Sequence, residues 1–229
     1  MATLLLRLSA PLQSWGTGAL FDDRGTDYYP SKSGVIGLIA AALGRKRGET
    51  LSDLALLKFG VRIDYPGTII NDFQTTDMGE KLSGNVSNRR YLSDATFLVG
   101  LESCDKKFLL QIKDAIEQPK FSLFLGRRSC PPSFPINLGI RNLKLYDALY
   151  NEKWLLPEWR QKKLLKKYKE GYLRIITDSD EISTIVNDVP ISYSPLARQY
   201  GYRYIKEQKG KSIFLQEENT QHDPMKELE

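Results

Sequence analysis

Histidine and cysteine are scarce in this chain, and their scarcity limits the chemistry that it can perform. The 229 residues include one histidine, His222, and two cysteines, Cys104 and Cys130. Zinc sites and Ser-His-Asp or Cys-His catalysis need these residue types in groups, so we expect no metal and no such catalytic site. Two cysteines are also too few for a disulfide framework, which favours a reducing, cytoplasmic location.

Other signals are missing as well. No apolar run reaches the length needed to span a membrane, and residues 1–7 lack the pattern of a secretion signal. The chain has no Gly-x-x-x-x-Gly-Lys-Ser/Thr run of the kind that binds nucleotide phosphates. The sequence therefore predicts no cofactor and no association with a membrane.

Positive charge is present and concentrated. The formal net charge is +5, yet the segment Lys153–Lys169 alone has seven basic residues and one acid, Glu158. A concentrated basic patch attracts polyanions more strongly than a diffuse excess does. The alternative is a solvated helix face whose lysines favour the helix's carboxyl end.

The hydrophobic pattern predicts an α+β fold. The expected order is a strand at 3–8, a helix at 35–43, strands at 61–65 and 95–101, a helix at 105–118 and a strand at 134–138. This is the β-α-β-β-α-β plan of a ferredoxin-like domain, here 1–145, interrupted by a polar excursion at about 66–90. Residues 146–229 form the second predicted unit, with a basic helix at 157–168 closed by Gly171, short strands at 173–176, 182–186 and 202–205, and an acidic tail.

The stretch 125–132 is the first candidate for a binding site. Gly126 permits a tight turn in which backbone N–H groups can face an anion. Arg127 and Arg128 follow, and a guanidinium group fits phosphate in a bidentate way. Read locally, the same stretch is also compatible with an ordinary charged surface turn.

Basic side chains recur beside aromatic ones, which is the combination that RNA-binding proteins use for phosphates and unstacked bases. Arg24 precedes Tyr28 and Tyr29, Arg89 and Arg90 precede Tyr91, and a third group runs from Arg198 to Lys206. The alternative is that the aromatic rings pack in the core while the charges are solvated. Lys32 and Ser33, at a predicted helix start, could bind phosphate through free N–H groups or belong to an ordinary capped helix.

Four motifs in order resemble a known family. They are residues 6–16, 30–38, 90–97 and 125–131. Together they resemble the CasD family of the type I-E CRISPR Cascade complex, within the repeat-associated RNA-binding superfamily. The resemblance implies a ferredoxin-like domain with an inserted thumb at about 66–90 and a small β-rich carboxyl-terminal domain. It also implies a non-catalytic subunit in antiviral defence that holds the 5′ handle of the guide RNA, contacts the backbone and large subunits, and meets target DNA only indirectly.

Carried over by motif position, the resemblance makes a set of residues RNA-binding candidates: Gly126, Arg127, Arg128, Ser129, Lys32, Ser33, Arg24, Arg89, Arg90, Gln13 and Trp15. The Lys153–Lys169 run is not part of the family pattern. A second interpretation is a metal-independent endoribonuclease that cuts repeat RNA, but such an enzyme needs a tuned proton carrier, and the one histidine lies in the polar tail. A third is a protein-interaction module whose basic patch meets acidic partners.

Overall fold

The computed structural model of the protein describes residues 1–17, 23–76, 85–168, 170–194 and 197–214. The fold is α+β, as the sequence predicts. In chain order the elements of these residues are β1 (Ala2–Ser9), β2 (Leu12–Gln13), β3 (Asp23–Arg24), α1 (Lys32–Leu43), α2 (Ser52–Ala55), β4 (Lys58–Tyr65), β5 (Thr68–Thr76), β6 (Asn85–Ser93), β7 (Thr96–Ser103), α3 (Lys106–Glu117), β8 (Asn137–Arg141), α4 (Leu145–Asn151), α5 (Glu158–Tyr168), β9 (Glu170–Ser179), β10 (Thr184–Tyr193) and β11 (Arg198–Phe214).

A seven-stranded sheet carries the fold, with the strand order β10-β11-β9-β4-β7-β1-β8. Its neighbouring strands pair antiparallel throughout. The chain passes through β1, α1, β4, β7, α3 and β8 in the predicted β-α-β-β-α-β order. The short elements β2, β3 and α2 and the strands β5 and β6 lie between them. The predicted final strand at 134–138 starts later, at Asn137, because residues 131–136 continue the loop that precedes it.

The sheet has a hydrophobic core on each face. Leu4, Leu6 and Leu8 point into the larger core with α1 and α3, whereas Leu5 points to the other face and packs against α4. This division follows from the two-residue period of a strand, which sends successive side chains to opposite sides. The continuous apolar run of β1 is therefore typical of a strand that is buried on both faces.

The first helix ends at Leu43 as predicted but starts at Lys32, three residues before the predicted start, and a cap fixes each limit. The Ser31 side chain accepts a hydrogen bond from the Gly34 N–H at the start of α1, and Gly44 ends the helix with φ of 79°. Glycine suits that left-handed end because it has no Cβ to clash with the backbone. The Asp105 side chain caps α3 in the same manner, accepting from the N–H groups of Lys107 and Phe108.

The polar excursion at 66–90 is largely a β-ribbon. Strands β5 and β6 pair antiparallel from Thr68–Ser93 to Thr76–Asn85, and residues 77–84 lie outside the described part of the chain. On its other edge β6 pairs with β2 and β3 at two short places. The strand expected at 95–101 is β7, and Asp94, with φ of 57°, separates it from β6.

The carboxyl-terminal strands continue the same sheet. β9 pairs with β4, so the sheet is continuous across residue 145, and the division into two domains there stays a prediction. The three strands are longer than predicted, and Gly171 lies inside β9 instead of closing the basic helix. The predicted acidic tail and His222 fall outside the described residues.

A buried ion pair fixes the segment that leads into α5. The fully buried side chains of Arg62 and Asp64 meet at 2.7 Å. The remaining Arg62 N–H groups donate to the backbone carbonyls of Leu149, Glu152 and Lys153 at 2.6–2.7 Å. Because a buried guanidinium group must satisfy all its donors, this arrangement holds the chain between α4 and α5 against β4.

None of the described helices is long and apolar enough to cross a bilayer. The two cysteines are not joined to each other: Cys104 is exposed and Cys130 is buried.

Candidate nucleic-acid interface

The glycine loop, residues 125–130, is wedged against the segment after β2. Gly126 has φ of 84°, and a Cβ placed on it would lie 1.6 Å from the Ser14 carbonyl oxygen. The Ser14 N–H donates to the carbonyl of Leu125 at 3.1 Å. Two independent constraints, conformation and space, therefore require glycine at this position.

Short hydrogen bonds close the loop. The Leu125 N–H donates to Cys130 O at 2.8 Å, and the Cys130 N–H donates to Arg127 O at 2.9 Å. Leu125 and Cys130 are buried at the two ends, while Gly126, Arg128 and Ser129 between them are exposed. The ends of the loop are therefore anchored in the core, and its tip is exposed. Burial raises the pKa of the Cys130 thiol.

The two adjacent arginines take different positions. Arg127 is partly buried, with its guanidinium carbon 4.6 Å from the centroid of the Tyr91 ring. Its Nη2 donates to the carbonyls of Arg24 at 2.6 Å and Gly25 at 3.3 Å. Its Nη1 is buried and has no hydrogen-bond partner among the described residues. Arg128 is exposed.

Strand pairing adds more arginines to this surface. β3 pairs in parallel with β6 so that Arg24 is opposite Arg89, and the Arg127 guanidinium contacts the Arg24 backbone. Arg90, the next residue of β6, points to the opposite face of the ribbon and forms a half-exposed ion pair with Asp23 at 3.3 Å, a kind of pair that contributes little stability. We call the set Arg24, Arg89, Arg127 and Arg128 the arginine cluster.

The environment of Tyr91 is electropositive. Burial is the largest influence on its phenol and favours the neutral form. The neighbouring Arg127 guanidinium and Ser129 side chain favour the phenolate and outweigh burial, so the pKa of Tyr91 lies below its ordinary value of 10.0. The sequence places Tyr91 next to Arg90 but does not predict its contact with the Arg127 guanidinium group.

Gln13 and Trp15 lie inside the protein. The Trp15 Nε1 donates to Gln13 Oε1 at 3.0 Å, and Gln13 Nε2 donates to the Ala95 carbonyl at 2.7 Å. The Trp15 ring packs so closely on Gly34 that a Cβ there would lie 2.8 Å from it. Both side chains are satisfied and inaccessible, so their positions support the base of the site and give them no direct path to RNA.

The start of α1 is occupied by side chains of the protein itself. The Lys32 N–H donates to Asp188 Oδ2 at 2.7 Å, and the buried Lys32 ammonium pairs with Asp178 at 3.1 Å. Arg203 pairs with both carboxylates, at 2.5 and 2.6 Å. The structure therefore favours an ordinary capped helix over a phosphate site at Lys32 and Ser33. Contact between Lys32 and RNA would require this ion-pair network to break.

Ser33 is partly buried, and its carbonyl accepts a hydrogen bond from the Tyr193 hydroxyl. Of the basic and aromatic residues between 198 and 206, Arg203 serves the buried network, whereas Tyr202 and Lys206 are exposed. In the described ranges, no group of three or more His, Cys, Asp and Glu side chains is arranged to hold a metal ion.

Residues 3–206 match the family model described as CRISPR-associated protein Cas5. The chain belongs to the Cas5 family. Within 156 aligned residues it is 34% identical to the CRISPR system Cascade subunit CasD of Escherichia coli (strain K12), over 59% of this chain and 70% of that protein. This confirms the resemblance that the four motifs predict.

Two solved structures extend the likeness over most of the Cas5 chain. One is described as a Cas protein; it is 38% identical, with a TM-score of 0.71, and the match covers 90% of this chain and 94% of that one. The other is a chain of a CRISPR RNA-guided surveillance complex; it is 31% identical, with a TM-score of 0.73 and coverage of 91% and 90%. Similarity over nine-tenths of both chains shows that the α+β architecture is the family's.

Proposed function

We propose that this Cas5 protein is a non-catalytic subunit of a type I-E Cascade complex and holds the 5′ handle of the guide RNA with its arginine cluster. Its family membership, the CasD relative and the likeness to a surveillance-complex chain support the Cascade assignment. The backbone and large subunits are the expected protein partners, and the expected compartment is the cytoplasm.

One observation carries the RNA assignment. The glycine loop, held by the Ser14 carbonyl, places Arg127 and Arg128 beside the arginines of β3 and β6. Several guanidinium groups gathered on one surface repel each other, and a phosphate backbone relieves that repulsion by bidentate hydrogen bonding. Arg128, at the exposed tip of the loop, is placed to meet such a backbone directly.

The experiment that tests this proposal compares three proteins binding an RNA with the repeat-derived 5′ handle. Arg128→Ala removes an exposed cluster arginine, and Lys144→Ala removes an exposed charge from the cap of α4. We expect the affinity to fall about 3- to 10-fold for Arg128→Ala and to stay unchanged for Lys144→Ala. Equal affinities for the two variants would contradict the assignment of the loop.

A second candidate function is the metal-independent endoribonuclease, which is favoured by one observation, the lowered pKa of Tyr91 beside Arg127. Its position argues for the non-catalytic function, because Tyr91 is only 4% exposed and its ring belongs to the larger core. We expect repeat RNA to stay intact when incubated with the protein in EDTA. A discrete product that disappears with Tyr91→Phe would establish the nuclease instead.

A further inference from the structure

Helix α5 is attached to the protein by one side only. The Arg160 guanidinium carbon lies 4.2 Å from the centroid of the Tyr65 ring, and Gln161 Nε2 donates to the Leu156 carbonyl at 2.6 Å. Leu164 and Leu165 are partly buried on the same side, and no residue of the helix is fully buried. These contacts fix which face of α5 points away from the protein.

The outward face is uniform in charge. Its members are Trp159, Lys162, Lys163, Lys166 and Lys167, all of them exposed. At 3.6 residues per turn they fall within an arc of about 140°, so four ammonium groups and one indole ring share a continuous surface. We call this set the lysine face.

The lysine face is electrostatically unfavourable in the protein alone. Lysines four residues apart on a helix repel each other, and the face has two such pairs, Lys162–Lys166 and Lys163–Lys167. Among the described residues no carboxylate forms an ion pair with Lys163, Lys166 or Lys167. The helix dipole favours the two lysines of the last turn, but it does not account for Lys163 in the middle of the helix.

The aromatic residues of α5 are also unusually exposed. Trp159 is 66% and Tyr168 is 61% exposed, and the Lys167 ammonium lies 5.0 Å from the Tyr168 ring centroid. Rings that stand among cations suit nucleic acid, because bases stack on aromatic faces while ammonium groups neutralise the phosphates. They do not add to the core of this protein.

We propose that the lysine face of α5 is a second nucleic-acid site, which binds the phosphodiester backbone without regard to sequence. It shares no residue with the arginine cluster. Helix α5 is also held independently of that cluster, by the Arg160–Tyr65 contact and by the Arg62–Asp64 pair, which fixes the segment before the helix. The exposed rings of Trp159 and Tyr168 can stack on unpaired bases, so the occupant is a single strand. The inference rests on the proposed function, which makes that strand the guide RNA beyond the handle.

The test uses the full-length protein and two probes that lack the handle: a single-stranded RNA and a duplex DNA, each of unrelated sequence. The variant K162Q/K163Q/K166Q/K167Q is compared with K46Q/K107Q/K144Q/K211Q, which removes four exposed lysines from other elements and leaves the same net charge. Affinity is measured at several salt concentrations, and helix content by circular dichroism.

We expect the slope of log affinity against log salt to become shallower by up to about 3.6 for duplex DNA and about 2.8 for single-stranded RNA in the α5 variant. In the control variant the same slope should change by less than half as much. A loss confined to the duplex DNA would overturn the assignment to single-stranded RNA. If the α5 variant loses helix content, the salt slopes of the double variants K163Q/K167Q and K46Q/K144Q are compared instead.

Equal slopes for the α5 and control variants would overturn the proposal. So would binding of anionic lipid vesicles that is lost in the α5 variant while nucleic-acid binding is unchanged, because a basic helix with an exposed tryptophan also suits a membrane surface. Arg128→Ala separates this site from the handle site, since it should lose more affinity for the handle RNA than for the handle-free probes, whereas the α5 variant should not show that preference.

Discussion

The guanidinium carbon of Arg127 lies 4.6 Å from the centroid of the Tyr91 ring. This contact, together with the hydrogen bonds to the carbonyls of Arg24 and Gly25, joins the glycine loop to strands β3 and β6. Arg127 therefore positions the arginine cluster as well as contributing charge to it. Its neighbour Arg128 is exposed, so two consecutive arginines have separable roles.

The first prediction follows from that separation. Arg127→Ala should lower the free energy of unfolding by about 1–3 kcal/mol, because it removes a cation–π contact and hydrogen bonds from a charged donor. Arg128→Ala should change it by less than about 0.5 kcal/mol. Urea denaturation followed by circular dichroism measures both values. Equal destabilisation by the two substitutions would contradict the distinct positions.

The second prediction concerns the turn itself. Gly126→Ala should destabilise the protein by about 2 kcal/mol or more, since the new Cβ would lie 1.6 Å from the Ser14 carbonyl at a φ of 84°. Gly48→Ala is the matched control: Gly48 has φ of 94°, but nothing lies within 4 Å of an added Cβ. It should cost about 1 kcal/mol, the conformational penalty alone. Thermal unfolding of the two variants should separate them; coincident curves would mean that the Ser14 contact is unimportant.

The third prediction is a titration. Tyr91 should ionise below its ordinary pKa of 10.0 in the folded protein, and Arg127→Ala should raise that pKa. The sign for stability follows, because a lowered folded-state pKa adds stability that is present above pH 10 and is lost as the pH falls through the folded-state value. Tyrosine NMR signals assigned by comparison with Tyr91→Phe would follow the ionisation. A pKa at or above the ordinary value would contradict the electropositive site.

The fourth prediction tests the buried network around α1. Lys32→Met should lower the free energy of unfolding by about 1–3 kcal/mol, because Asp178 loses one of its two cationic partners while Arg203 remains. It should leave the salt dependence of RNA binding unchanged, unlike substitutions in the arginine cluster. A shallower salt dependence would restore Lys32 as an RNA contact, and unchanged stability would show that its ion pair contributes nothing.

Features determined by neighbouring residues could be predicted from the sequence. Helix α1 ends at Leu43 where the sequence predicts, and Lys32 and Ser33 lie at its start as expected, since helix ends depend on a few consecutive residues. Gly126 and the exposed Arg128 are likewise where a tight turn should place them. The order of strands and helices followed from the hydrophobic pattern of each segment.

Features created by distant residues could not be predicted. Lys32 pairs with Asp178, 146 residues later, and the residues near Lys32 in the sequence do not indicate that partner. The Arg127 guanidinium contacts the Tyr91 ring because strand β6 places that ring next to the glycine loop. Gln13 and Trp15 look like polar and aromatic binding residues, but they satisfy each other inside the protein. The ribbon at 66–90 was missed as strands because it has few apolar residues to reveal a two-residue period.

The most direct test of the central claim is the salt dependence of handle binding by Arg127→Ala/Arg128→Ala. If these arginines contact RNA phosphates, a filter-binding titration over salt concentration should give weaker binding and a slope shallower by up to about 1.4, corresponding to two contacts with single-stranded RNA. Circular dichroism confirms that the variant is folded under the same conditions. An unchanged affinity and slope in a folded variant would show that the RNA is held elsewhere.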